Sequence, residues 1–360
     1  MNSSSQPASS QSYVFGPVPS RRLGRSLGID LVPMKTCTYN CIYCQLGRTT
    51  HQTLERRPYV SEEVVIRQLQ EKLSSLSTLP DFITFSGSGE PTLNSQIGDF
   101  IEEVSRLTPV PVAVLTNGSL LHREAVREAL QGADVVIPSL DAAHPSLFRL
   151  INRPHHSLSF SHILQGLKAF RNEYAGEIWL EVMLCRGFND EEQHLEKLRG
   201  EIEKIGPNRV HLNTVVRPPA EEFAYPLSME QLEKVVSLLG GKAEILPTEC
   251  PSPAARVYGP IDREVLLLLE RRPCSLEDLS RAFGVSEKDM AASLRKLRDK
   301  GAVGYNVYNR TVFYKAERKA KKIYPWGGKI NAHLRISLPL LRRNFRNLGR
   351  GRDPKGFSGV

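Results

Sequence analysis

Three hundred and sixty residues, 40% of them apolar and 24% charged, suit a large α/β domain with a small second module and exclude a disordered, collagen-like or small disulfide-bound chain. The net charge of +9 gathers at one end, because residues 315–360 hold 13 Lys/Arg against Glu317 and Asp353 while residues 1–314 hold 35 bases against 37 acids. No apolar run nears the ~18 residues of a membrane helix, and six cysteines with three of them inside Cys37–Cys44 fit a reduced cytoplasm and metal or redox chemistry better than an extracellular disulfide framework.

Met1–Ser12 is rich in Ser and Gln and lacks the basic-then-apolar order of a secretory signal; residues 1–20 read as a flexible N-terminal segment. Six apolar runs then read as strands: Ser26–Pro33, Phe82–Phe85, Val110–Leu115, Asp134–Leu140, Ile178–Cys185 and Arg209–Val216. Near-continuous Val/Ile/Leu runs predict strands covered on both faces, as in parallel sheets. Between them, Val65, Leu69, Leu73 and Leu76 keep helical spacing, as do Leu195, Leu198, Ile202 and Ile205. Met229, Leu232, Val235, Val236 and Leu239 form a third stripe. Repeated βα units predict a parallel α/β barrel or open sheet over residues 21–250, with its chemistry at the carboxyl ends of the strands.

The Pro-rich stretch Cys250–Pro260 reads as a linker. Beyond it, Ile261–Leu269 reads as a helix, Ser275 as the cap of a second helix carrying Leu276, Leu279 and Phe283, and Glu287–Lys300 as a third with Met290, Leu294 and Leu297 inward. Val303–Val307 and Val312–Lys315 alternate around Asn309-Arg310 as a hairpin would. Three helices and a hairpin predict a winged helix-turn-helix within residues 251–318. The basic tail, residues 319–360, suits a polyanionic neighbour, with nucleic acid ahead of a membrane surface.

Directly after the first of these strands comes Cys37-x3-Cys41-x2-Cys44. Thiolate is a soft ligand that suits iron–sulfur clusters, zinc or copper(I). A four-iron cluster on three cysteines leaves one iron open for catalysis. A structural zinc wants a fourth ligand, for which His51 is nearest, and free thiols or a disulfide pair remain a third reading. At the end of the next strand stands Phe85-Ser-Gly-Ser-Gly-Glu-Pro-Thr-Leu93, where glycines let backbone approach a ligand closely. It lacks the third glycine of a dinucleotide loop and the lysine of a phosphate loop.

The cysteine run, with Tyr43 just before its last member, resembles the signature of the radical S-adenosylmethionine (SAM) superfamily, and Gly87-Ser-Gly-Glu90 resembles that superfamily's glycine–glutamate motif. Phe15–Arg22 (FGPVPSRR), Thr84–Leu93 (TFSGSGEPTL), Asn152-Arg153-Pro154 and Asn213–Pro219 (NTVVRPP) further resemble the branch containing the wyosine-synthesising tRNA enzymes. The resemblance implies a partial (β/α)6 barrel and a [4Fe–4S] cluster held by Cys37, Cys41 and Cys44, with SAM bound at the open iron. It implies Gly87, Gly89 and Glu90 along the methionine moiety and Tyr43 beside the adenine. Asn117, Ser139 and Asp141 would reach the ribose or carboxylate. It also implies reductive cleavage of SAM to a 5′-deoxyadenosyl radical, an external electron donor and a cytoplasmic enzyme. tRNA is the expected substrate, held by the winged helix and the tail. A peptide or protein substrate is the alternative within the superfamily, and an iron–sulfur redox-sensing DNA-binding regulator the alternative outside it.

The pattern departs from the wyosine-forming enzymes in one respect: they carry a second cluster on upstream cysteines, and here no cysteine precedes Cys37. Cys185, Cys250 and Cys274 stand far apart and read as buried thiols. Glu181, inside an apolar strand, reads as a buried acid that needs a partner. Arg217 at the end of the sixth strand reads as a ligand for carboxylate or phosphate. Arg21, Arg22 and Arg25 fall near the barrel mouth, and His155-His156 reads as a solvated loop pair.

Overall fold

Strands without polar alternation need cover on both faces, and here they obtain it from helices flanking one large sheet. The computed structural model describes residues 11–247 and 261–317. The expected linker, residues 250–260, and basic tail, residues 319–360, lie outside these residues. In chain order the first part runs β1 (Val14–Ser20), β2 (Gly24–Ile29), β3 (Thr36–Cys37), β4 (His51–Gln52), α1 (Glu62–Ser74), β5 (Phe82–Phe85), α2 (Ile97–Leu107), β6 (Val112–Thr116), α3 (Glu124–Ala129) and β7 (Val135–Pro138). It continues with α4 (Pro145–Ile151), α5 (Phe160–Glu173), β8 (Glu177–Leu184), α6 (Glu192–Ile205), β9 (Arg209–Thr214), α7 (Met229–Leu239) and β10 (Ala243–Ile245).

Eight of these strands form one sheet in the order β1-β2-β5-β6-β7-β8-β9-β10. Every pairing is parallel except β1 with β2. Apolar residues stand side by side across it, Leu27 against Ile83 and Leu180 against Val210. Phe85, Phe100 and Phe170 are fully buried in the core that results. The three helical stripes face this core: Val65 and Leu69 of α1, Leu195, Leu198, Ile202 and Ile205 of α6, and Leu232, Val235 and Leu239 of α7 are buried, whereas Met229 is exposed. Among the described residues no helix is long and apolar enough to cross a membrane.

The six expected strands are all present, and two more were not anticipated. β1 corrects the expectation of a flexible segment over residues 1–20, since Val14–Ser20 pairs along β2. Its two prolines argue against a central strand but are tolerated on an edge, where a missing N–H breaks no ladder. β10 is three residues long, too short to carry a pattern.

The second part comprises α8 (Ile261–Leu269), α9 (Leu276–Phe283), α10 (Glu287–Asp299) and the antiparallel pair β11 (Val303–Tyr308) and β12 (Thr311–Ala316). Ser275 caps α9 in a reciprocal box with Asp278. Asn309 and Arg310 both take positive φ, 46° and 63°, as a two-residue hairpin turn demands. Val265, Leu268, Leu279, Phe283, Met290 and Leu294 form a separate small core, which Val18 of β1 joins. Further ties run to the sheet region: Lys72 pairs with Glu264 at 2.8 Å, and the Tyr308 hydroxyl donates to the carbonyl of Val215 at 3.1 Å.

Candidate active site

The polar residues that the sequence places at strand ends meet at the carboxyl side of the sheet, where connections after β2, β5, β6, β7 and β9 gather. The loop after β2 carries the three cysteines. It is tied to the end of α4, with the Ile42 amide donating to Ile151 O at 2.9 Å and the Asn40 amide to Asn152 O at 3.0 Å. Ile42 is fully buried and anchors the turn. Cys37, Cys41 and Cys44 are half-buried free thiols.

Each sulfur has a nitrogen donor from a different place in the chain. Lys35 Nζ lies 3.1 Å from Cys44 Sγ, Asn117 Nδ2 3.5 Å from Cys37 Sγ, and Asn152 Nδ2 3.7 Å from Cys41 Sγ. Burial and then the Glu90 carboxylate push the Cys37 thiol up to about 12. Burial and the two neighbouring thiols push Cys41 well above the ordinary range. Three thiolates in so small a space repel one another, and a cationic centre relieves that repulsion. The donor set of three soft sulfurs, each met by an N–H group, fits an iron–sulfur cluster. Among the described residues no three His, Cys, Asp or Glu side chains are gathered about a point as a single metal ion requires. His51, the nearest fourth ligand for zinc, is exposed on β4.

The loop after β5 is knitted to the cysteine loop by backbone. Lys35 N donates to Ser88 O at 2.7 Å and Glu90 N to Thr36 O at 3.1 Å. Asp30, at the end of β2, fixes it from below: Oδ1 accepts from Ser88 N at 3.1 Å and Oδ2 from the Ser88 hydroxyl. Gly87 takes φ +126°, and a Cβ at Gly89 would stand 1.9 Å from Thr36 O. Gly89→Ala must therefore push the two loops apart. We expect it to cost about 3 kcal/mol of stability, read by denaturant unfolding, and to abolish SAM binding measured by calorimetry on the holoprotein.

Glu90 is held by neighbouring donors and is not among the residues that line the cavity opening on these loops. It is buried, and its carboxylate accepts from Thr92 N, the Thr92 hydroxyl, the Thr116 hydroxyl at 2.7 Å and Asn117 N at 2.7 Å. Burial raises this carboxyl, and those four donors pull it part of the way back. The side chain clasps the β5 loop to the end of β6. Asp141 plays a similar part after β7. It accepts from the Tyr43 hydroxyl at 2.5 Å, from Asn152 Nδ2 at 2.6 Å and from Met183 N at 2.9 Å, and burial pushes it up to about 6.

A cavity of about 390 Å³ opens on these loops, and Cys37, Cys44, Tyr43, Gly87 and Gly89 line it. Asn117, Glu90 and Asp141 support that lining from behind. Ser139 is half-buried in a bridge beside Glu181 and does not line the cavity. Glu181 does line it, with Arg22 paired to its Oε2 and Asn213 Nδ2 donating to Oε1 at 2.7 Å. Burial alone would raise the Glu181 carboxyl, but Arg22, Asn213 and Arg21 outweigh it and hold it below the usual carboxylate range. Arg217 lines the cavity as well, and its guanidinium lies 3.9 Å from Asp278.

Sequence reading missed Asp30, Lys35, Arg271 and Arg272. An acid closing the apolar run Ser26–Ile29 was a usable signal for Asp30. For Arg271 and Arg272, on the loop after α8, no local pattern points to the cavity they line. His155 and His156 pack ring to ring at 4.3 Å in a loop, His156 exposed, as expected of a solvated pair.

Residues 31–198 match the family model of the radical SAM superfamily. A UPF0026 protein of Helicobacter pylori is 37% identical over 269 residues, covering 74% of this chain and 86% of that protein. A protein of Brachyspira hyodysenteriae named GTPase Obg is 38% identical over 305 residues, covering 84% of this chain, which spans only 45% of that protein's length. Among solved structures, a radical SAM methyltransferase from Sphaerobacter thermophilus aligns with TM-score 0.46 and 18% identity over 61% of this chain and 66% of its own. The chain belongs to the UPF0026 family and carries, over residues 31–198, the radical SAM region of an enzyme whose cofactors are a [4Fe–4S] cluster and SAM.

Proposed function

We propose that this protein reductively cleaves SAM and uses the product to modify tRNA. The observation that carries the reading is that Cys37 and Cys44 share one cavity wall with Gly87, Gly89 and Tyr43. When bound, the cluster and SAM supply a 5′-deoxyadenosyl radical able to take hydrogen from an unactivated carbon. Cys37, Cys41 and Cys44 hold the cluster, while Lys35, Asn117 and Asn152 direct N–H groups at its sulfur ligands. Gly87 and Gly89 leave room for the methionine portion, with backbone carbonyls to receive its ammonium, and Tyr43 stands by the adenine. Asn117, Ser139 and Asp141 serve the ribose and carboxylate end, Asn117 and Asp141 through the groups they position. Glu90 keeps the glycine loop in register with the cysteine loop. The electron comes from an external donor.

Residues 21–250 act as the catalytic domain. The three helices and hairpin of residues 261–317 act as a winged helix, and the cationic residues 319–360 add phosphate contacts. The wyosine-like segments Phe15–Arg22 and Asn213–Pro219 support tRNA as the substrate class. Two measurements test the reading. Anaerobically reconstituted protein given SAM and dithionite should yield 5′-deoxyadenosine, and mass spectrometry of bulk tRNA should show a modified nucleoside missing from cells without the gene. Intact SAM would refute the chemistry; identical nucleoside profiles would refute the substrate.

A further inference from the structure

The connection after β9, residues 215–228, is pinned along its length on the carboxyl side of the sheet. Its Glu221 amide donates to Ile42 O at 2.9 Å and its Leu227 amide to Thr214 Oγ1 at 2.9 Å. The Tyr308 hydroxyl, from the hairpin, meets the carbonyls of Val215 at 3.1 Å and Ala224 at 3.4 Å. The Ala224 amide closes a turn on Glu221 O at 3.0 Å, and Ala224 itself is fully buried. The residues on either side of Ala224 nevertheless stay out, Phe223 at 43% and Tyr225 at 47% exposure. Among the described residues only three Phe, Tyr or Trp side chains are exposed, and two of them stand here. Large rings held in water on a fixed segment forgo burial that folding would reward, and they mark a surface that something else covers.

The neighbours of these rings narrow what that is. Phe188, from the connection after β8, stacks on Phe223 with centroids 5.9 Å apart and planes 28° from parallel. The Arg186 guanidinium lies 5.4 Å from the centre of the Tyr225 ring, and the Arg186 amide donates to Tyr225 O at 2.9 Å. Glu221 is buried and shared by two arginines, Arg153 at 2.5 Å and Arg48, whose side chain is mostly exposed, at 2.9 Å. Arg186 forms no ion pair with a carboxylate among the described residues. The acids nearby are the exposed Glu222 and Asp190, whose Oδ1 accepts from Gly187 N at 2.7 Å. Flat rings with guanidinium groups beside them offer stacking to a base and charge to a phosphate. A bound peptide needs a groove or an open strand edge, and this connection contains no strand.

The surface also has a place relative to the chemistry. Phe188, Val215 and Ala224 pack in one cluster with Ile42 and Tyr43, and Tyr43 and Val215 line the cavity. The rings therefore stand one layer of side chains from the cavity wall. We infer that Phe223 and Tyr225, with Arg186, form a stacking platform for unpaired bases of the RNA strand whose target nucleotide enters the cavity. The inference rests on the tRNA reading above and narrows it to a single-stranded stretch such as a loop. Bases inside a duplex are already stacked on one another and have no free face to give.

The test follows fluorescence anisotropy of three probes on full-length protein reconstituted with its cluster. They are an unpaired RNA of about twelve nucleotides, the same strand paired to its complement, and a strand of equal length lacking bases. Wild type should prefer the first probe. Phe223→Ala with Tyr225→Ala should weaken it by at least about tenfold and leave the baseless strand unchanged, a pattern that loss of folding or of phosphate contacts would not give. Phe223→Tyr with Tyr225→Phe keeps both rings and should bind as wild type does. SAM cleavage without RNA should be equal in all three proteins. Equal wild-type affinity for the three probes, or an undiminished double alanine variant, would overturn the platform. So would a dimer in sedimentation that the alanine pair dissociates, because the rings would then belong to a second copy of this chain. Failure of the tRNA reading is distinguishable. Protein that binds the unpaired strand through these rings while cells lacking the gene keep every tRNA nucleoside retains the platform and loses tRNA as substrate. A missing nucleoside together with ring variants that bind normally loses only the platform.

Discussion

Cys41→Ala should leave a folded protein with no cluster and no SAM cleavage. The prediction follows from ligand count: with three thiolates at Cys37, Cys41 and Cys44, removing one leaves two, too few to hold a four-iron cluster. No described cysteine replaces it, because Cys185 and Cys274 are fully buried in other packing clusters. The fold itself has little to lose. Cys41 is half-buried, and its thiol repels Cys37 and Cys44, so apo-protein stability should change by no more than about 1 kcal/mol. Iron and sulfide content, the electron paramagnetic resonance of the reduced protein and 5′-deoxyadenosine yield should all drop to background while the apo-protein melting curve stays put. A variant that still cleaves SAM would remove Cys41 from the ligand set.

Arg271→Ala has the largest expected effect on stability. Arg271 is buried, stacks over Phe15 at 4.7 Å, donates to Ser12 O and meets Asp30 at 3.3 Å. Removing one member of a buried pair strands the other, which costs about 3–5 kcal/mol. The sign with pH is determined. Burial already raises the Asp30 carboxyl, and Arg271 is the first of the groups that lower it. Without Arg271 its folded-state value rises further, so the variant should be most unstable above that value and recover as pH falls through it. Asp30→Asn made together with Arg271→Ala should return much of the loss at neutral pH, since no bare carboxylate then remains. Denaturant unfolding of the four members of the cycle at two pH values checks this; a pH-independent deficit would show that packing on Phe15, and not charge, supplies the effect. Asp30 also holds Ser88 in the glycine loop, so the single variant should lose SAM affinity along with stability.

These two sites differ in how plainly the sequence announces them. The cysteine trio and the Gly87–Glu90 turn are local patterns, and their spacing carries their meaning. The parallel strands were equally plain because burial on both faces leaves unbroken apolar runs such as Ile178–Leu184. The hairpin turn at Asn309-Arg310 and the Ser275 cap were legible because turn and cap chemistry is short-range. Arg271 is legible only in three dimensions, since its partner Asp30 lies far away in sequence. Glu90, Asn117 and Asp141 stand at the strand ends where the sequence places them, and none of the three lines the cavity itself. Acids placed beside Thr92, Thr116, Tyr43 and Asn152 are satisfied by those neighbours and act as struts behind the cavity wall. β1 escaped notice because its prolines disguise an edge.

That edge has a consequence of its own. β1 stands last in the sheet, and its outer side is where α8 and α9 pack, with Val18 entering their core. A chain cut before α8 would bare an unpaired strand border with an apolar residue on it, the kind of border that recruits other copies into continuous ladders. Helices α8 and α9 thus also guard against aggregation, and residues 11–247 are poorly suited to life as a solitary polypeptide.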